Sequence, residues 1–343
     1  MKKRVCCLMM ALLLLGAAAG CGTNANEAKD SSDVVVRIAT MGLIDGETLA
    51  YQEGYLEKYI DADVEFIKFD QSRDVVTALA SGSVDIGECG SVGVATALAQ
   101  GLEAKVIWMQ DVLGDTDGLA TKRSQSVENF ADLAGKTVAF PFGSTVHYAF
   151  YRAAEHFGVD VSTINVVDMT VGEIPAAWET GQIDATYLWE PTLSNLSDSE
   201  MLLTSRDVAS YGHPVMDISM VRNGFAEEYP ELVVGYTKAV NEAINLYRND
   251  PEKAATSIAS ALEMGKEETL ALMDRTIYLD AREQISEDYM GTAAQKGKLV
   301  DYLYDTALFL YEQNSISEMP DKEVFTNGID SSFAEQALSE ANS

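Results

Sequence analysis

Between Val34 and Trp189 short apolar runs alternate with amphipathic stretches, so that a two-residue period repeatedly gives way to a helical one. This pattern predicts strands over 34–40, 64–69, 84–87 and 105–109, with helices over 46–60, 72–80 and 92–100 between them. After the loop 114–118 the order begins again, with strands at 119–121, 137–140, 164–169 and 183–189 and helices at 127–133, 145–157 and 173–180. Gly82, Gly135 and Gly158 stand where a left-handed residue would end a helix. One more strand is expected at 218–221. Beyond it the chain reads as helix, with Pro230 and Pro251 in first turns, a long helix at 293–311 and a short one at 332–340. Two strand–helix units in series form an α/β protein of two lobes. The loop 114–118 is the first candidate hinge, and a second crossover is expected near 211–218. Lobe one is then 34–116 with 218–343, onto which the helical tail folds back, and lobe two is 117–217.

The N-terminus changes the picture of where this fold resides. Met1-Lys2-Lys3-Arg4 precedes an apolar stretch over 6–19 that is short for a bilayer span, which reads as a signal peptide over 1–20. Ala18-Ala19-Gly20-Cys21 resembles a bacterial lipoprotein signal, with Ala18 where leucine is usual; this implies a lipid on Cys21 and a polar tether over 21–33. The expected location is the outer face of the cell membrane. Losing 1–20 removes three basic residues and no acids, taking the net charge from -30 to -33, which argues against nucleic acid as a partner. Only Cys89 then remains besides Cys21, so no disulfide framework is expected.

Two loops at strand ends lead into helices: Gly87-Glu88-Cys89-Gly90-Ser91 in the first unit and Phe142-Gly143-Ser144-Thr145 in the second. In open α/β sheets ligands lie beyond the carboxyl ends of strands. Free amides and hydroxyls at Gly90, Ser91, Ser144 and Thr145 favour an anion there. The alternative is that these residues only cap their helices. Gly87, Gly90 and Gly93 lack the spacing of a nucleotide loop, and no lysine follows them.

Several stretches carry a family resemblance. They are 78–87 (ALASGSVDIG), Gly90-Ser91, 135–148 (GKTVAFPFGSTVHY), Ala176-Ala177-Trp178, 187–191 (YLWEP) and Tyr278-Leu279. Together they resemble the taurine, aliphatic sulfonate and nitrate group of ABC-transporter solute-binding proteins, and the stretch Ser144 to Tyr148 resembles the taurine subgroup. The resemblance spans 34–313. It implies a type II periplasmic-binding fold with ligand in the interlobe cleft, hinge closure on capture, an ABC permease as partner, a monomer, no enzyme activity and no cofactor.

If the ligand is taurine, its ammonium needs a carboxylate and its carbons an apolar wall. Asp217 is the first candidate for the ammonium, Glu190 the second and Glu47 the third, although Glu47 also reads as an ordinary surface acid. Trp189 suits a cleft wall, and His147, one turn into its helix, either faces the ligand or packs. Arg73 and Arg152 read as surface residues. The alternative ligand is nitrate or a bare alkanesulfonate, which needs no acid. A cleft enzyme using Cys89 with His147, or Ser144 as nucleophile, lacks an orienting third group. His147, His156 and His213 do not have metal-ligand spacing, and no metal is expected.

Overall fold

The computed structural model describes residues 34–340; the readings on the signal segment, Cys21 and the tether lie outside the described residues. Two five-stranded sheets organise the chain. The first has the order β2 (Asp63–Lys68), β1 (Val35–Thr40), β3 (Ile86–Gly90), β10 (Met216–Arg222), β4 (Ala104–Val112). The second has the order β7 (Asn165–Asp168), β6 (Thr137–Phe140), β8 (Ala185–Trp189), β5 (Asp117–Lys122), β9 (Ser199–Thr204). In each sheet the strand that arrives from the other one is antiparallel to its neighbours. β10 runs against β3 and β4, and β5 runs against β8 and β9.

Strands covered on both faces explain the near-continuous apolar runs of the sequence. In β1, Val36 and Ile38 join Val233, Val240 and Ile244 of the helix Pro230–Asn249, whereas Ala39 joins Val75, Leu79 and Leu303 on the opposite face. In the second sheet Val138, Phe140 and Tyr187 face Phe150 of the helix Thr145–Phe157, and Ala139 and Leu188 face Trp178. The C-terminal helices pack on the first sheet, including the short helix Ser332–Glu340, whose Phe333 and Ala334 are buried.

The differences from the pattern reading have local causes. Gly54, at φ 71°, divides the expected helix 46–60 into Gly46–Gln52 and Tyr55–Tyr59. The stretch 127–133 forms only a 3₁₀ turn, Phe130–Leu133, because Asn129 and Asp132 cap it reciprocally three residues apart. The long helix expected at 293–311 begins at Leu299. β9 was not expected at all. Of the candidate hinge loop, Asp117 and Gly118 belong to β5, and the chain crosses between sheets over Leu113 to Thr116. There Leu113 N–H donates to Val215 O at 2.9 Å, tying the outward crossing to the return crossing that ends at Met216.

A second junction between the sheets centres on Asp305, in the helix Leu299–Glu312. Its carboxylate accepts from Tyr148 Oη and from Arg152 Nη2 at 3.2 Å, both on the helix Thr145–Phe157, and lies 3.0 Å from His213 Nδ1. Arg152 is 6% exposed, not the surface residue its sequence suggests. Arg152 Nη1 also bonds Glu155 Oε2 at 2.8 Å, so removing Asp305 takes away the more buried of two carboxylate partners of this guanidinium. Asp305→Ala is therefore expected to cost about 2 kcal/mol of stability, with Asp305→Asn costing less, by urea unfolding. An unchanged midpoint for both variants would show that this junction contributes nothing.

Candidate functional site

A cavity of about 420 Å³ opens between the carboxyl ends of the two sheets. Three helix N-termini reach it. Ser72 begins Ser72–Ser81, Gly90 caps Ser91–Ala99, and Ser144 caps Thr145–Phe157. First-turn amides have no acceptor inside their own helices, so each end offers N–H groups and the positive pole of a helix dipole. Ser144 Oγ accepts from His147 N–H at 3.4 Å and donates to Pro141 O at 2.6 Å. Its hydroxyl is thus engaged in the cap, whereas the Thr145 hydroxyl, on the cavity wall, has no protein partner among the described residues.

The same cavity is lined by acids. Asp111, Asp117, Glu190 and Asp217 all line the cavity, and none is more than 7% exposed. Asp217 pairs with Gly90 across β10–β3 and with Asp111 across β10–β4. Its N–H donates to Asp111 Oδ1 at 3.3 Å, and its own carboxyl has no hydrogen-bond or ion-pair partner among the described residues. Asp117 opens β5 opposite Trp189, and its Oδ2 is buried without a partner. Glu190 differs from these, because Ser194 donates to both its oxygens at 2.7 Å and Arg275 Nη1 lies 3.8 Å away.

Behind this wall the acids continue. Asp45, Glu47 and Glu88 are at most 1% exposed. Asp45 accepts from Thr48 N–H at 2.6 Å, and Glu47 accepts from Tyr236 Oη, which also contacts Ser219 Oγ at 2.8 Å. Glu47 is accordingly a core acid and not a surface one. Burial disfavours the charged form and like charges add to it. Burial lifts Asp217 to about 7 and Asp45 to about 6, and burial beside Asp45 lifts Glu47 to about 8. Glu88, Asp111 and Asp117 rise well above the ordinary carboxylate range for the same reasons. Among the described residues no group of three His, Cys, Asp or Glu side chains is arranged to hold a metal ion.

Of the candidates from sequence, Gly90, Ser144, Thr145, Trp189, Glu190 and Asp217 line the cavity. Ser91 and His147 do not. Ser91 Oγ is buried without a partner at the start of its helix. The His147 ring stacks on Phe142 at 4.7 Å and meets Phe309 edge-on, while its Nδ1 accepts from Gly143 N–H at 3.1 Å. Burial lowers it to about 4, so at neutral pH it is an uncharged prop for the Phe142–Ser144 turn. Cys89 is fully buried in β3, its thiol raised by burial, and it lines no part of the cavity with His147. Arg73 is exposed, as its sequence suggested, yet it stands on the cavity rim. Ser72, Asp111 and Asp117 carried no signal in the sequence reading.

The two lobes meet closely at Gly90. A β-carbon there would lie 2.8 Å from Thr145 Cγ2 and 3.5 Å from Asp217 Oδ1, so a helix N-terminus of one sheet and a free carboxyl of the other adjoin one point. A family model described as NMT1/THI5 like matches residues 45–254. A taurine-binding periplasmic protein of Escherichia coli (strain K12) is 31% identical over 290 residues, covering 82% of this chain and 88% of that protein. The chain belongs to the NMT1/THI5-like family. The family span includes every cavity residue from Ser72 to Asp217 discussed above. Among solved structures, the periplasmic aliphatic sulphonate binding protein of Escherichia coli superposes with a TM-score of 0.72 at 21% identity, over 85% of this chain and 97% of its own. The alkanesulfonate-binding protein of Xanthomonas axonopodis pv. citri, bound to MOPS, superposes at 0.70 and 19% identity, over 88% and 99%. These likenesses establish the fold, the two-lobed α/β fold of periplasmic binding proteins.

Two measurements follow from the geometry. Gly90 has φ −60° and ψ 152°, which alanine adopts without strain, so only the added methyl matters. Gly90→Ala is expected to weaken ligand at least about tenfold, because the methyl would press on Thr145 of the facing lobe, 2.8 Å away. Equal affinity for both proteins would rule out this contact as part of the bound state. The second concerns pH. A carboxyl raised in the folded state keeps a proton that the unfolded chain has already released, so the native state binds more protons and stability falls as pH rises. For Asp45, Glu47 and Asp217 the window runs from their ordinary values, 3.8 to 4.5, up to about 8. The empty protein should melt higher near pH ~5 than near pH ~8, and Glu47→Gln should flatten the slope. A melting temperature that rises across this window would contradict the burial of neutral acids.

Proposed function

We propose that this protein is the extracytoplasmic solute-binding component of an ABC importer, and that its solute is taurine or a related small sulfonate carrying an ammonium group. One observation carries the reading: a single cavity is lined both by three helix N-termini and by the unpaired carboxyl groups of Asp117 and Asp217. A sulfonate takes acceptor bonds from Thr145 Oγ1 and from first-turn amides, each favourable by about 0.3–1 kcal/mol for the dipole alone. The ammonium donates to Asp217, at about 1.5–3 kcal/mol per charge-assisted bond. Closeness of Thr145 and Asp217 around Gly90 suits a short carbon spacer between the two charges. Trp189, Phe142 and Leu310 supply apolar wall for that spacer. The taurine-binding relative and the sulfonate-binding structures agree with this choice of ligand.

Capture proceeds by closure of lobe 117–217 over lobe 34–116 with 218–343, each lobe holding part of the site, and the closed form docks on the permease. A lipid on Cys21 would keep the protein at the membrane and raise its effective concentration there. Among the described residues no helix is long and apolar enough to cross a membrane. Nitrate, the bare-anion alternative, has neither a cation for Asp217 nor carbon for the apolar wall.

Isothermal titration of the ligand-stripped protein with taurine, ethanesulfonate, β-alanine and nitrate tests the reading. Taurine is expected to bind most tightly, and Asp217→Ala to weaken it about tenfold to a hundredfold while affecting ethanesulfonate far less. Equal loss for both ligands, or nitrate binding as tightly as taurine, would remove the ammonium site.

A further inference from the structure

We infer that the ligand's cation is received by three acids, Asp111, Asp117 and Asp217, and that these hold protons in the empty site which the cation displaces, so that capture of a zwitterion releases protons to solvent. This rests on the amino-sulfonate reading and adds to it two specificity residues and a pH dependence.

The three acids come together because of where the chain crosses. Asp111 is next to last in β4 and Asp117 is first in β5, so they flank the outward crossing, and Asp217 follows the return crossing as the second residue of β10. Asp217 and Asp111 are register partners, and each of the three is at most 6% exposed while lining the same cavity. The observation that points to a ligand, beyond the clustering itself, is Asp117 Oδ2: it is buried on the cavity wall with no hydrogen-bond partner.

The groups around them supply no counter-charge. Asp45 approaches from the turn after β1, Glu88 and the neutral Cys89 thiol from β3, and Glu190 from the end of β8. Behind them lie Glu47 with Tyr236, and Tyr278, whose hydroxyl donates to Ile44 O. The nearby cations are engaged or remote. Arg275 is turned to Glu190 and to Asp115 O, and Arg73 is on the exposed rim. Among the described residues no Lys, Arg or His forms an ion pair with any of the three acids.

Three like charges in a buried wall cannot all ionise, and the site titrates as a unit. Burial lifts Asp217 to about 7 and holds Asp111 and Asp117 higher than ordinary carboxyls, so protons occupy the empty site near neutral pH. An ammonium placed among them reverses the preference. Each acid that ionises to accept an N–H sends one proton to solvent, and the ligand keeps its own charge. A bare sulfonate makes no such exchange. Taurine affinity should therefore fall by about tenfold per pH unit on acidification for each proton exchanged, and ethanesulfonate affinity should not.

Titration of the whole ligand-stripped protein with taurine at about pH 6.5, in cacodylate and in imidazole, measures the exchange, since the two buffers differ in ionisation heat and neither is a sulfonate. The expected result is a buffer-dependent enthalpy equivalent to about one proton released. Asp111→Asn and Asp117→Asn, nearly isosteric and checked for unchanged melting, should each weaken taurine at least about tenfold and lower the proton count, with ethanesulfonate bound no more weakly. Taurine binding with no buffer dependence, or both variants binding taurine within about twofold of the parent, would overturn the three-acid site and leave the amino-sulfonate reading standing. No heat with taurine in either buffer would overturn both.

Discussion

The buried carboxyl groups of Asp45, Glu47, Glu88, Asp111, Asp117 and Asp217, which pair with no cation among the described residues, are the constraint on which the rest of this structure turns. Ionised, they would be too costly to bury, so the fold is compatible with them only as neutral acids or as partners of something that enters the cleft. Internal hydrogen bonds meet part of the need, as in the Glu47–Tyr236–Ser219–Gln110 series beneath the first sheet. Asp45 Oδ2, Glu47 Oε2 and both Glu88 oxygens stay without a partner behind the wall, and Asp117 Oδ2 and the Asp217 carboxyl stay so at the cavity itself. A site that has not been satisfied internally is one whose energy a ligand can change.

Lobe contact is the second condition, and part of it is carried by residues away from those acids. Asp305 holds Tyr148, Arg152 and His213 at one junction, and the crossings at Leu113 and Val215 hold each other at another. Near these junctions Gly90 lies against Thr145 of the facing lobe. A side chain at Gly90 would separate the helix end at Thr145 from the acid at Asp217, and the two poles would no longer address one small molecule. The absence of a β-carbon at one position thus links closure to recognition.

Much of the fold was legible in the sequence because strands buried on both faces must be apolar, and helices that end at a left-handed glycine announce their ends. The helix N-termini at Gly90 and Thr145 were legible for the same reason, as was Asp217 near a crossing. What was not legible is burial of charge. On a chain with 54 acidic residues, Asp111 and Asp117 look like Asp115 between them, and Glu47 looks like any acid in a first helical turn. Only the antiparallel insertion of β10 and β5, which pairs residues distant in the sequence, decides which acids face the cleft. His147 was ambiguous because a residue one turn inside a helix can face the mouth of the cleft or its flank; Phe142 and Phe309 take it to the flank. β9 had no polar–apolar alternation to reveal it, since its outer residues are exposed on an edge.

The distribution of poles between lobes bears on how closure discriminates. The Ser72 and Ser91 helices and Asp111 and Asp217 belong to the first sheet, while the Thr145 helix and Asp117 belong to the second. Each lobe therefore offers both a positive and a negative half-site. A ligand shifts the open–closed equilibrium only by the difference in its contacts with the two forms. A zwitterion gains contacts from the incoming lobe at both of its ends, whereas a bare anion gains them at one end and leaves the acids at the other protonated and without a cation. Selectivity then comes less from the fit to either lobe alone than from how much binding waits for closure. That places discrimination in the step that prepares the closed form for delivery.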